Sequence, residues 1–184
     1  MKVDEISGGL WRWTGWCEPI EADAGCVYQE GADGIVLIDP LVPPEDEARF
    51  FEALDLDVAR AGRRGVHVLT TVARHERSTP ELAARYGARV WSAAHDRLPN
   101  GIVAFDSGAP GEVVFWLPDH RTLACGDVLA GSDGRLVVIG DPARAALTEL
   151  LALDVEHVLV SHGDPVLTRG RDALRAALSP LPAP

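Results

Sequence analysis

Val66-His67-Val68-Leu69-Thr70-Thr71-Val72-Ala73-Arg74-His75-Glu76-Arg77-Ser78 begins as an apolar strand and ends as a cluster of titratable side chains. Val66 to Thr70 is rich in β-branched residues and too short for a buried helix, so it reads as a strand. Thr79-Pro80-Glu81 then supplies a proline and an acid for the first turn of a helix, which Gly87 stops after Tyr86. Strand, polar loop and helix in this order are how α/β proteins gather side chains outside the carboxyl ends of a sheet. Leu123-Ala124-Cys125-Gly126-Asp127 and Val158-Leu159-Val160-Ser161-His162-Gly163-Asp164 also end an apolar strand on polar residues. One strand-end Asp or His is more often a turn or cap residue than a ligand. Their recurrence in one chain points to a shared site.

Other apolar runs of strand length surround these three. Leu10 to Thr14 alternates and puts Trp11 and Trp13 on one face, while Cys26–Glu30 and Ile35–Ile38 flank the hairpin signature Gly31-Ala32-Asp33-Gly34. Arg89–Ser92, Ile102–Phe105, Glu112–Trp116, Thr122–Cys125, Leu136–Ile139 and Val155–Val160 complete the predicted strands. Pro118-Asp119-His120-Arg121 and Ser132-Asp133-Gly134 read as turns. Pro43-Pro44-Glu45-Asp46-Glu47 opens a helix whose Phe50, Phe51 and Leu54 face inward, Asp141-Pro142 opens another, and Asp172 to Leu178 forms a short last one. Many strands with few, late helices predict an α/β fold, with two sheets or one large mixed sheet covered by helices. No linker divides residues 1–184, so one domain is expected, with 179–184 an unstructured proline-rich tail.

Hydrophobic residues make up 47% and charged residues 24%, a globular balance that excludes a disordered or fibrous chain. The formal charge of −11 repels phosphate backbones and anionic lipid, so neither nucleic acid nor a membrane surface is an expected partner. Met1-Lys2-Val3-Asp4-Glu5 has no basic segment followed by an apolar run, and no stretch approaches the roughly 18 apolar residues of a membrane span. Cys17, Cys26 and Cys125 are odd in number and widely spaced, which argues for reduced thiols and a cytoplasmic protein. Gly-x-Ser-x-Gly and phosphate-binding glycine loops are absent, which removes support for serine-hydrolase and nucleotide-binding readings.

Taken together, these segments resemble the metallo-β-lactamase-fold hydrolase superfamily over nearly the whole chain. Gly34-Ile35-Val36-Leu37-Ile38-Asp39-Pro40 is similar to its early glycine, apolar strand, Asp segment. Val68-Leu69-Thr70 leads into the place of its His-x-His-x-Asp-His motif, Gly126-Asp127 matches its metal-bridging Gly-Asp, and Ser161-His162-Gly163 its last His-Gly. The resemblance implies a four-layer αββα sandwich with metal at the sheet ends. The motif itself is altered. An ungapped alignment puts Thr71 and Ala73 at its first two His positions, and Gly108 of Ser107-Gly108-Ala109-Pro110-Gly111 stands where a further His belongs. None of these replaces an imidazole, so the family's first metal site is expected to be missing.

At the second metal position the aligned residues are His75, Glu76, Asp127 and His162, all able to ligate. Two imidazoles and two carboxylates suit one Zn²⁺, or Fe²⁺ or Mn²⁺. The implied function is a diverged single-metal hydrolase of a small ester, thioester, lactone or phosphoester. Asp127 or Glu76 would be a ligand or general base, and Arg74 or Arg77 an anchor for an anionic substrate group. The alternative is a catalytically inactive, metal-free family member that binds a ligand or protein, its carboxylates neutralised by Arg74 and Arg77. Elsewhere, His67 reads as a satisfied sheet histidine, His95, His120 and His157 as solvated, Cys125 as a buried inert thiol, and Trp11, Trp13 and Trp16 as packing residues or a wall of the pocket mouth. The chain is short for the superfamily, which leaves the pocket open or completed by a second subunit, as in a homodimer.

Overall fold

The computed structural model describes residues 1–62, 64–91 and 97–179 of the 184. The chain opens with β1 (Lys2–Ser7), β2 (Leu10–Cys17), β3 (Ala22–Glu30) and β4 (Gly34–Ile38), then α1 (Glu47–Ala61), β5 (Gly65–Leu69), α2 (Thr79–Tyr86) and β6 (Arg89–Trp91). It continues through β7 (Val103–Asp106), β8 (Val113–Leu117), β9 (Thr122–Ser132), β10 (Arg135–Val138), α3 (Asp141–Ala146), β11 (His157–His162) and α4 (Gly170–Leu178). The hairpin at Gly31-Ala32-Asp33-Gly34 is present, closed by reciprocal Gly31 and Gly34 backbone hydrogen bonds of 3.0 and 3.3 Å. Gly87 ends α2 with φ +60°, the left-handed conformation that glycine adopts without a Cβ clash.

The strands form one hydrogen-bonded sheet in the order β6-β5-β4-β3-β11-β9-β8-β7, with β2 also on β3, β1 on β2, and β10 on β9. It is therefore one large mixed sheet rather than two separate ones, curled so that three apolar layers separate its halves from each other and from the helices. Alternation along each strand explains the layers. In β4, Ile35 and Leu37 pack under α1 with Phe51 and Leu54, whereas Val36 and Ile38 turn to the middle. In β8 and β11, Phe115, Leu117 and Leu159 join that middle layer, and Val114, Trp116, Val158 and Val160 pack toward α3 and α4 beside Leu147 and Leu174. Helix, sheet, sheet, helix is the result.

The two halves meet along one edge of β3. Ala24 pairs with His162 of β11, and Val27 to Glu30 pair with Ile38 to Ile35 of β4. Both neighbours run antiparallel to β3, so the carboxyl ends of β4 and β11 arrive side by side. Side chains after Ile38 and around His162 are thereby delivered to one crevice, the usual place for a site where strand order changes.

Several expectations need correction. Lys2–Ser7 is an unforeseen strand, and β9 runs on through Gly126 to Ser132 instead of ending at Cys125. β11 begins and ends two residues later than its apolar run, so His162 is its last residue. Ser92, His95 and residues 180–184 of the tail lie outside the described residues. His120 and His157 are half-buried rather than solvated: His120 Nδ1 meets Ser7 Oγ at 3.0 Å, and His157 Nδ1 meets the Leu167 carbonyl at 2.8 Å. His67 is satisfied as foreseen, accepting from Trp91 Nε1 at 3.1 Å.

Candidate metal centre

Asp39 follows β4 with φ +51°, a left-handed position that Asp tolerates better than most residues. Its amide continues the ladder to the Leu69 carbonyl, and its carboxylate turns across the mouth of β5. There it accepts from the Thr71 amide at 2.7 Å, the Thr71 hydroxyl at 2.6 Å and the Ser161 hydroxyl at 3.3 Å. The chain then makes a single 3₁₀ turn, Ala73–His75, which swings His75 back over Asp39. His75 Nδ1 lies 2.9 Å from Asp39 Oδ2 and 3.2 Å from Thr71 Oγ1.

On the other side, β9 is interrupted where it pairs with β11. Val160 pairs with Cys125, yet His162, two residues on, pairs with Ala130, so β9 carries extra residues between the pairs. This outward bulge presents Asp127 to the crevice. Asp127 Oδ1 meets His162 Nε2 at 2.8 Å and His75 Nε2 at 3.2 Å, and Oδ2 accepts from the Arg74 guanidinium. One ligand atom each from His75, Asp127 and His162 lies within 4.8 Å of the others.

Glu112 holds the bulge from below. Its Oε1 accepts the Asp127 and Val128 amides, the latter at 2.8 Å, and Arg74 reaches its Oε2 at 3.7 Å. Gly126 is required by this packing, because a Cβ there would lie 2.5 Å from Thr71 Oγ1 and 2.7 Å from Glu112 Oε1.

His75 is 95% buried, with a carboxylate at each ring nitrogen. Ionised carboxylates only accept, so the protonated ring, with a donor on each nitrogen, is the form that satisfies both contacts. Burial opposes that charge, but the hydrogen bonds to Asp127 and Asp39 outweigh it and raise the His75 pKa above its ordinary value. Asp127 is held far below the carboxylate range by His162 first, then His75, with Arg74 adding to both against the cost of burial.

Of the residues singled out from sequence, His75, Asp127 and His162 come together and Arg74 joins them. Glu76 is exposed and is not part of the converging group. On a turn of about three residues, neighbouring side chains diverge by about 120°, so His75 and Glu76 do not point the same way. Arg77 donates to the Asp39 carbonyl at 3.0 Å, bracing the turn from behind. At the three altered motif positions, the Thr71 hydroxyl is committed to Asp39, Ala73 is exposed, and Gly108 has φ +79° with the Pro142 carbonyl 2.5 Å from where a Cβ would stand. Trp11 and Trp13 pack with Tyr28 and Phe50, and Trp16 is exposed. Cys26 and Cys125 are buried free thiols, and burial pushes Cys26 up to about 12.

No protein-family model matches the sequence. No curated protein matches it either. Solved structures do share its fold. VMB-1, crystallised at pH 5.5, is 14% identical with a TM-score of 0.65, over 97% of this chain and 98% of its own. A metallo-β-lactamase from Erythrobacter litoralis is 13% identical with a TM-score of 0.63, over 96% of this chain and 89% of its own. The mono-zinc form of an NDM-FIM-1-like metallo-β-lactamase from the same organism gives the same identity and TM-score, over 96% of this chain and 94% of its own. At these identities the likeness is one of fold, and it runs over nearly the whole of both chains: the chain has the metallo-β-lactamase fold.

Proposed function

We propose that the chain is a single-metal hydrolase that holds one divalent ion, most simply Zn²⁺, on His75, Asp127 and His162. The supporting observation is their convergence within 4.8 Å, beneath which Asp39 and Thr71 fix the His75 ring. Two imidazoles and a carboxylate with a fourth position open are a catalytic donor set for zinc, and also suit Fe²⁺ or Mn²⁺. The Asp39 contact to Nδ1 is the kind of outer support that orients a ligating imidazole. One ion rather than two is supported by the surroundings. Thr71, Ala73 and Gly108 offer no imidazole, and the Arg74 guanidinium already lies on Asp127 and Glu112.

An ion held there supplies Lewis acidity to a substrate oxygen and acidifies a water. The chain's own residues do the rest. Arg74 is 61% exposed, so the edge of its guanidinium not engaged with Asp127 is available to an anionic substrate group. Arg77 is engaged with backbone, which makes Arg74 the anchor of the two. Glu76, exposed and turned away from His75, is given no part in the reaction. The substrates proposed are small esters, thioesters, lactones or phosphoesters, since the same polarised carbonyl or phosphoryl chemistry serves all four.

One observation favours a second reading. Asp127 is fully satisfied by His75, His162 and Arg74 in this arrangement, which is also what a metal-free binding module would need. Metal analysis of untagged protein grown with added zinc, iron or manganese separates the two. The hydrolase reading expects about one equivalent, with metal and ester hydrolysis both lost in His162→Ala and both kept in Glu76→Gln. Less than about a tenth of an equivalent and no zinc binding by calorimetry would leave the metal-free reading.

A further inference from the structure

The outer face of β1–β3 and the helix α1 line an open cavity of about 320 Å³ that shares no lining residue with the candidate metal centre. Its walls include the rings of Trp11, Trp13, Tyr28 and Phe50. At one side two carboxylates converge on one phenol: Tyr28 Oη lies 3.0 Å from Glu30 Oε1 and 3.1 Å from Asp57 Oδ2. A phenol has one proton and can satisfy one of them at a time, so the other faces a lone pair. Burial, then Asp57 and Glu30, keep that proton in place by raising the Tyr28 pKa. Arg60 pairs with the other Asp57 oxygen, Oδ1, and Arg49 lies exposed among the lining residues. Glu30 is exposed, and Met1, whose ammonium pairs with Asp46, lines the same cavity, so one phenol proton is shared between two carboxylates.

We propose that this cavity binds a small organic cation, a primary ammonium carried on an aromatic or alkyl body. The ammonium would donate to Glu30 and Asp57 beside the Tyr28 hydroxyl, and the body would pack against the indole and phenyl rings. Aromatic walls attract a cation through their ring faces, most strongly in indoles. The volume suits a small ligand buried over most of its surface, with few polar groups fixing its orientation. A chain charge of −11 also concentrates cations around the molecule.

The test compares three isosteres on the full chain: 2-phenylethylammonium, neutral 2-phenylethanol and anionic 3-phenylpropionate. Binding is followed by tryptophan fluorescence and by indole N–H shifts in two-dimensional NMR. The expected result is that the ammonium binds at least about tenfold tighter than the alcohol, with shifts at Trp11 and Trp13, and equally well with zinc added or stripped. Glu30→Gln, at an exposed position, should cut that preference about fivefold, and Glu30→Gln with Asp57→Asn should abolish it while the alcohol still binds. Equal binding of ammonium and alcohol, tighter binding of the carboxylate, or no binding at about 10 mM would overturn the proposal. So would loss of binding on zinc removal, or a dimer in sedimentation whose dissociation moves the Trp11 signal, because the cavity would then be part of the metal centre or covered by a second copy.

Discussion

On the proposed single-metal reading, His75 connects acid–base state to metal uptake. A proton on its Nε2, which faces Asp127 Oδ1 at 3.2 Å, occupies the atom a metal ion would take, so metal and proton compete for it. The sign follows from the two shifts. The His75 pKa is raised, so its contribution to stability is complete below the ordinary histidine pKa of about 6.5 and fades as pH rises through the raised value. The Asp127 pKa is depressed, so its contribution is present above about 4 and fades as pH falls toward the depressed value. Zinc affinity should therefore rise about tenfold per pH unit until His75 has lost its proton, then level off. Calorimetry in buffers of different ionisation enthalpy should count about one proton released per zinc bound near pH 6. A pH-independent affinity with no proton release would show that His75 is not a ligand.

The same residue marks what a sequence can disclose. His75, Asp127 and His162 stand at strand ends, where polar residues after an apolar run are visible to inspection. Asp39 has the same format, but nothing in one chain tells a strand-end Asp that orients a ring from one that closes a turn. Glu112 is less visible still, since only the bulge in β9 gives it amides to hold.

At the scale of elements, that bulge positions the site. Gly126-Asp127 looks like the end of a strand because Gly and Asp are turn formers, yet β9 continues through them to Ser132. The hidden variable is register, which depends on a partner strand far along the chain. Gly126→Ala should destabilise the protein by about 1–3 kcal/mol, because the new methyl meets Thr71 and Glu112 at sub-contact distance and the core is already filled. Glu112→Ala should cost a similar amount, about 1–3 kcal/mol, by leaving the Asp127 and Val128 amides without their acceptor. Glu112→Gln keeps an acceptor oxygen and should recover most of that loss. Urea denaturation measures all three, and zinc affinity should fall in the first two because Asp127 moves with the bulge. An unchanged midpoint in Gly126→Ala would mean that the bulge is loosely packed and does not position Asp127.

For the whole molecule, the weak point is the seam where the two halves of the sheet join on β3. One backbone register pair, His162 with Ala24, carries β11 there, and a buried arginine spans the gap. Arg12 on β2 reaches over Gly25 to donate to the Val160 carbonyl at 3.2 Å and the Gly163 carbonyl at 3.1 Å, on either side of His162. It has no carboxylate within salt-bridge distance among the described residues, and burial lowers its pKa. A Cβ on Gly25 would lie 2.5 Å from the Val160 carbonyl and 2.6 Å from the guanidinium, so the glycine makes the passage possible. None of this is legible in Leu10 to Thr14, where alternation puts Arg12 on the face opposite Trp11 and Trp13 and says nothing of what covers it. The curl of the sheet, which no local pattern encodes, turns that face inward. Arg12→Met keeps the length and apolar stem but leaves two carbonyls unanswered, and should lower stability by about 1–3 kcal/mol. Because those carbonyls flank His162, the variant should also bind zinc more weakly, whereas a surface variant of equal stability loss such as Leu56→Gly in α1 should not. Thermal denaturation with and without zinc reads both effects. If Arg12→Met loses stability but keeps full zinc affinity, the seam and the metal centre are independent, and the proposed link between the curl and the site is wrong.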